Sequence, residues 1–183
     1  MIQVIAEHSV DIGLLMAIPA NILDIGCRGF EFSKMFGKRN NEGFNVYCID
    51  IDELEGDYFR LAISNKDGMT GINHTNDPQA KHIIEGSEIP MMTISTFSKM
   101  VGVKEWDLIK IDIEGEEYNV LRDAKHPLAK QVSVEFHAHI GQTKQELDEL
   151  LLYLSNHYTI HNQVWESRHG AGYNYWDILL VAK

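Results

Sequence analysis

Trp106-Asp-Leu-Ile-Lys-Ile-Asp-Ile-Glu-Gly-Glu-Glu-Tyr-Asn-Val-Leu121 passes from an apolar run into a cluster of acids and then into helical spacing. Leu108, Ile109, Ile111 and Ile113 are strand formers with no turn residue among them, which reads as a strand buried on both faces. Lys110, Asp112 and Glu114 interrupt it, and in a strand all three point to one side. Burying ionised groups is costly unless they are paired or bind something. A strand that carries charge near its C-terminal end and runs through Gly115 into a helix is where an open α/β sheet keeps its chemistry.

Upstream, Asn21-Ile-Leu-Asp-Ile-Gly-Cys-Arg-Gly-Phe30 is a short buried strand ending in Asp24-x-Gly26-x-x-Gly29. Phe32, Met35 and Phe36 then recur at helical spacing up to Gly37. Strand, glycine turn and helix form the context of a nucleotide-type cofactor loop, because glycine lets a ligand approach the backbone near a helix N-terminus. Phe44-Asn-Val-Tyr-Cys-Ile-Asp50 is the next strand. Asp50 lies 24 residues beyond Gly26, near the offset at which an acid meets ribose hydroxyls in dinucleotide folds. Only Ile51 to Asp57 separate it from a third strand, Tyr58–Ser64, so the crossover helix expected there is reduced to a turn or two.

Elsewhere the elements follow from spacing. Val10, Ile12, Leu14, Leu15 and Ile18 suggest an N-terminal helix ended by Pro19. Met69 to Glu88 show no sustained period and read as an irregular surface segment with one short edge strand at most. Thr93 to Gly102 is a short helix with Ser95 or Thr96 as N-cap and Gly102 as stop. Tyr118, Leu121 and Ala124 give a helix ending before Pro127, with Glu116 and Glu117 in its first turn, where the helix dipole favours acids. Gln131 to His139 is a strand, and Thr143 caps an amphipathic helix through Leu154. Two closing strands, His157–Trp165 and Trp176–Ala182, are joined by a loop holding Gly170 and Gly172. Alternating strands and helices imply a mainly parallel sheet, finished by an antiparallel hairpin.

The 183 residues suit a single domain, 1–183, with one core. A formal net charge of -11 and the lack of any Lys/Arg run argue against a nucleic-acid partner. Cys27 and Cys48 are too few for a disulfide framework and lack metal spacing. The longest apolar run, Ile12 to Ala20, falls short of a membrane span. A cytoplasmic protein with no membrane partner is the expectation; oligomeric state is left open.

The chain resembles class I S-adenosylmethionine-dependent methyltransferases, and specifically the FkbM family. Leu23-Asp-Ile-Gly-Cys-Arg-Gly29, Asp50, Ala62-Ile-Ser-Asn-Lys-Asp-Gly68, Thr93-Ile-Ser-Thr-Phe97 and above all Lys110-Ile-Asp-Ile-Glu-Gly115 carry the likeness. It implies a Rossmann-like, doubly wound α/β fold with a seven-stranded sheet in the order 3-2-1-4-5-7-6, strand 7 antiparallel. It also implies O-methyl transfer to a small-molecule hydroxyl, on a sugar or natural product. The chain departs from the family pattern at Asp50-Ile51, where Glu-Pro is usual, at Ser95, where Asp is usual, and in the shortened helix between strands 2 and 3.

Under that resemblance Asp24, Gly26, Gly29 and Asp50 bind the cofactor's methionine and ribose, and Ser64 and Asn65 end strand 3 on the adenine side. Asp112 ends strand 4 beside the methyl position, and Glu135, His137 and His139 share a face of the neighbouring strand. Asp112, Glu135 and His137 are the expected catalytic residues, as an acid/base set. The same three could instead ligate a divalent ion, although no metal is expected. A plainer reading pairs Lys110 with Glu135, makes His137 a core histidine and gives Glu114 a helix-start role. Two further functions compete with methyl transfer: a degenerate methyltransferase fold serving as a binding module, and a nicotinamide-dependent oxidoreductase. The third glycine of GxGxxG, which the oxidoreductase wants, is missing.

Overall fold

The first residues pair as strands rather than forming the expected helix. The computed structural model describes residues 1–15, 19–37, 43–75, 81–137, 142–167 and 174–183, with 162–167 and 174–175 described through their backbone. β1 (Ile2–Ile5) and β2 (His8–Asp11) form an antiparallel hairpin, followed by a 3-10 turn at Ile12–Leu15. Ala6 and Glu7 turn the chain with φ of 45° and 71°, the left-handed pair that matches a two-residue hairpin to the strand twist. Neither is glycine or asparagine, so the turn carries no sequence signal. The misleading helical spacing arises because Val10 and Leu15, on different elements, reach one buried cluster.

After the hairpin come β3 (Ala20–Ile25), a 3-10 turn at Arg28–Phe30, α1 (Glu31–Gly37), β4 (Phe44–Asp50), β5 (Phe59–Arg60), β6 (Ala62–Ile63), β7 (Gly68–Ile72) and β8 (Ile83–Met92). The order ends with α2 (Ile94–Val101), β9 (Trp106–Ile111), α3 (Glu117–Asp123), β10 (Ala129–His137), α4 (Lys144–Leu154), β11 (Tyr158–Ser167) and β12 (Asn174–Ala182). Seven strands make one mixed sheet, ordered β11-β12-β10-β9-β3-β4-β5. Neighbours from β5 to β10 run parallel, while β12 is antiparallel to both β10 and β11.

Strand alternation builds two layers on this sheet. Leu23, Ile25, Ile109, Ile111, Val132, Val134 and Phe136 face α2, α3 and α4 in the larger core. On the opposite face Ile22 and Leu108 pack with Phe32 and Phe36 of α1 and with Ile5, Val10 and Leu15. Further along that second face the sheet turns polar. Asp24 and Lys110 alternate with the core residues of β3 and β9, and Gln131, Ser133, Glu135 and His137 with those of β10. The hairpin lies across them: the Gln131 side chain accepts from the Asp11 backbone N–H at 2.8 Å and donates to its carbonyl at 3.1 Å.

The expected third strand splits. β5 pairs with β4, whereas β6 leaves the main sheet and joins β8 and β7 in a three-stranded one. Residues 69–88 are therefore less irregular than their sequence suggests. A register shift between Thr70 and Gly71 and solvent exposure of Glu85 to Glu88 hide the strand period. There two glycine backbones meet; a Cβ on Gly86 would lie 2.7 Å from the Gly71 Cα. The crossover from β4 to β5 contains no helix. The Tyr58 hydroxyl ties it instead, accepting from the Leu54 N–H at 2.9 Å and donating to the Asp52 carbonyl at 3.1 Å.

Thr93, not Ser95 or Thr96, caps α2 by accepting from the Thr96 N–H, and Gly102 ends it in the left-handed region. Thr143 caps α4 in a reciprocal box with Glu146. Thr143→Ala removes two of those bonds and is expected to cost about 1 kcal/mol, read as a lower urea midpoint at unchanged slope. Both cysteines are free and buried. His139 and the Gly170/Gly172 loop lie outside the described residues. No helix among the described residues is long and apolar enough to cross a membrane.

Candidate active site

β3 ends in a turn wedged between two other strand ends. The Gly26 and Cys27 N–H groups both donate to the Ile49 carbonyl, at 2.9 and 3.1 Å, and the Asp112 N–H donates to the Ile25 carbonyl at 3.1 Å. Gly26 has φ of 80°, and a Cβ there would lie 1.8 Å from the Asp112 carbonyl oxygen. Only glycine satisfies both constraints. Gly29 also has positive φ, 72°, but a Cβ there would make only an ordinary contact, with Glu31 Cγ at 3.8 Å. The first glycine thus packs the turn, and the second supplies its left-handed backbone.

Beneath the turn lies Lys110, almost wholly buried. Its ammonium donates to the Gly26 carbonyl at 2.6 Å and pairs with Asp24 at 3.4 Å and Asp112 at 3.3 Å. Burial works against the charged amine, yet Asp112 and Asp24 outweigh it and raise its pKa. The expected pairing of Lys110 with Glu135 does not form. In register, Lys110 lies beside Asp24 on β3 and Ser133 on β10, so Glu135 falls beyond its reach. Asp24 is fully buried under the turn.

Strand β9 stops at Ile111, and the acids after it follow a turn rather than a ladder. Asp112 is the most exposed of the cluster, with 28% of its side chain accessible. Burial would raise its pKa, but Lys110, His8 and His137 hold it well below the usual carboxylate range. Glu114 has φ of 54° and faces His137 at 3.7 Å rather than starting the helix. Glu117 is completely buried. It accepts from the Ile113 and Gly115 N–H groups, each at 2.9 Å, and lies 3.0 Å from His137 Nδ1.

Asp112, Glu135 and His137 do converge. His137 Nε2 lies 3.3 Å from Glu135 and 3.7 Å from Asp112. Burial disfavours the imidazolium, but Glu117, then Glu135 and Asp112, raise its pKa well above the ordinary value. The acids around His137 therefore favour its protonated form. Sequence reasoning missed two members of this group. Glu117 reads as a first-turn acid favoured by the helix dipole, and only the fold shows its imidazole partner. His8 belongs to a hairpin read as helix; its Nε2 lies 3.7 Å from Asp112.

Asp50, at the end of β4, is nearly buried and accepts from the Asp52 N–H at 2.9 Å. Burial pushes its pKa up. Ser64 and Asn65 are tethered to the two ends of α3: the Ser64 hydroxyl donates to Glu116, and the Asn65 amide donates to Asp123 at 2.6 Å.

A family model described as the methyltransferase FkbM domain matches residues 27–173. The chain belongs to this FkbM methyltransferase family. No curated protein matches it. Among solved structures, it is similar to a magnesium protoporphyrin IX methyltransferase from Synechocystis PCC 6803 with bound S-adenosylmethionine. The identity there is 12% and the TM-score 0.47, over 91% of this chain and 71% of that one. The FkbM match begins at Cys27 and so takes in Lys110, Asp112, Glu117, Glu135 and His137, whereas the hairpin bearing His8 precedes it.

Titration of this cluster has a defined sign. Burial pushes Glu114 up to about 8, against the charge of His137 and helped by Asp112, Glu117 and Glu135. A carboxyl raised on folding makes the folded state bind more protons than the unfolded one above the unfolded pKa of 4.5. His137 acts in the same sense above 6.5. Stability is therefore expected to fall as pH rises from about 4.5 to about 8. Asp112 acts oppositely, but only below its unfolded value of 3.8. Urea midpoints across this range read the effect, and Glu114→Gln should flatten the slope. A midpoint that rises over the same window contradicts the assignment.

Proposed function

We propose that the chain transfers the methyl group of S-adenosylmethionine to a hydroxyl on a sugar or small natural product. The observation that carries this is the contact between Gly26 and Asp112: the cofactor turn and the most exposed acid of the cluster lie back to back. The sheet, read from β5 through β4, β3, β9, β10 and β12 to β11 with β12 reversed, supports a Rossmann-like order 3-2-1-4-5-7-6.

The residues fit the cofactor. Gly26 and Gly29 give the turn its left-handed backbone, with φ of 80° and 72°, and Asp50 is a desolvated carboxylate whose raised pKa would relax on accepting ribose hydroxyls. Ser64 and Asn65 border the adenine side. Asp24 acts at a distance, by holding Lys110. S-adenosylmethionine supplies an electrophilic methyl group on a cationic sulfur, and the acidic crevice suits that charge.

Asp112 accepts a hydrogen bond from the acceptor hydroxyl and orients its lone pair in line with the methyl carbon. Such positioning supplies much of the acceleration of an in-line displacement. A carboxylate held low is a weak base, yet a hydroxyl becomes sharply more acidic as its oxygen is alkylated. Asp112 can therefore take the proton late in the transfer. His137, fixed by Glu117, and Glu135 steady the carboxylate and exclude water from its inner side.

Incubation with methyl-labelled S-adenosylmethionine and a panel of hydroxylated acceptors, sugars included, tests the reading. Label is expected in an O-methyl ether of at least one acceptor. Label found only on nitrogen or sulfur would overturn the O-methyl assignment.

A further inference from the structure

Beside Asp112, His8, Glu135 and Asp177 bring one imidazole and two carboxylates together, with their ligand atoms all within 4.8 Å of one another. We propose that these three residues bind a divalent transition-metal ion of the manganese, iron or zinc type. The site goes beyond methyl transfer, and its test does not depend on that activity.

Three elements build it. Glu135 on β10 and Asp177 on β12 are direct partners in the antiparallel register, so their side chains lie on the same face. A cation placed between two carboxylates is attracted to both. His8 comes from the hairpin that crosses this face. His8 as a whole is 4% exposed, and its Nδ1 is buried without a hydrogen-bond partner. A buried nitrogen without a partner is costly in an apoprotein. The hairpin cannot drift away easily, because Gln131 clamps Asp11, three residues after His8, through both its donor and its acceptor.

The donor set selects the ion. Magnesium and calcium prefer all-oxygen shells, and soft ions prefer thiolates; mixed imidazole and carboxylate donors suit borderline divalent ions. Ligand bonds of about 2.0–2.2 Å place donor atoms roughly 3–4 Å apart around an ion. Shifts of about an ångström in three side chains would close the present arrangement around one. Three protein ligands also leave coordination positions for water or a hydroxyl. Glu135 reaches from this site to His137, at 3.3 Å, so an ion here would touch the network that surrounds Asp112. A second set, Asp112, Glu114 and His137, also meets the distance condition. There a buried ammonium, Lys110, pairs with Asp112 at 3.3 Å, and the variants below separate the two sets.

The full chain, stripped with chelator and freed of S-adenosylmethionine, is titrated with Mn²⁺ while the free ion is followed by electron paramagnetic resonance. Saturable binding of one equivalent is expected, together with a rise in Tm, and Mg²⁺ should compete poorly. His8→Gln and Asp177→Asn should each weaken binding at least about 10-fold, whereas Glu114→Gln should leave it within a few-fold. Circular dichroism establishes that each variant is folded, and the wild-type titration stands whether or not they are. Absence of saturable binding by the wild type overturns the proposal. So does binding that survives His8→Gln and Asp177→Asn but is lost in Glu114→Gln, which would place the ion in the other set.

Discussion

Replacing Lys110 with methionine is expected to destabilise the protein by about 3–5 kcal/mol, the range for breaking a buried pair from one side. The side chain is roughly isosteric, so packing is retained while the charge and its donors disappear. Asp24 then lies under the glycine turn with neither of its oxygens hydrogen-bonded, since the ammonium is its ion-pair partner. Asp112 and the Gly26 carbonyl lose the same partner. Asp24→Asn on top of Lys110→Met should recover part of the loss, because the uncompensated buried charge is removed. Urea unfolding measures both variants. A loss below about 1 kcal/mol for the single variant would show that the pair behaves like a solvated one.

Asp112→Asn is the second large effect. The amide keeps the shape but can no longer take a proton from the acceptor. Turnover is expected to fall by about 10²–10⁴-fold, the usual contribution of a positioned acid or base. Affinity for S-adenosylmethionine should change only within a few-fold, because the turn at Gly26 contacts the Asp112 backbone carbonyl, which the substitution leaves in place. That split between turnover and binding distinguishes a catalytic carboxylate from one that merely props up the turn. Should turnover persist near the wild-type value, the acceptor-side assignment is wrong and Glu114 or Glu135 becomes the group to test.

Much of the sheet could be read from the sequence because its signals are local. The run Leu108 to Ile111 is buried on both faces, as its composition demands. The Thr143/Glu146 box starts α4 where the cap residue says it should. The glycine turn lies between a strand and a helix, as expected for Gly26 and Gly29.

What escaped is non-local. The Ala6–Glu7 turn has left-handed geometry without left-handed residues, so nothing in the sequence announces a hairpin, and His8 was lost with it. The partner of Lys110 depends on parallel register: Asp24 is its direct neighbour on β3, whereas the acid weighed from the sequence, Glu135, lies on the other neighbouring strand and two residues beyond Ser133, which stands opposite Lys110 there. Glu117 has the sequence context of a helix-dipole acid but is fully buried on His137. Spacing marked the acids; only the fold assigns their partners. The three-stranded sheet of β6, β8 and β7 was obscured because its polar face resembles a loop and its two crossing glycines resemble turn residues.

The most direct test of the central claim is isothermal titration of the unmodified chain with S-adenosylmethionine and, separately, with NAD. The account predicts saturable binding of S-adenosylmethionine with a Kd on the order of 10 µM, weakened by Asp50→Ala, and no saturable heat with NAD. Binding of NAD alone would move the glycine turn and Asp50 to an oxidoreductase. Binding of neither would leave a methyltransferase fold without its cofactor, and would contradict the account.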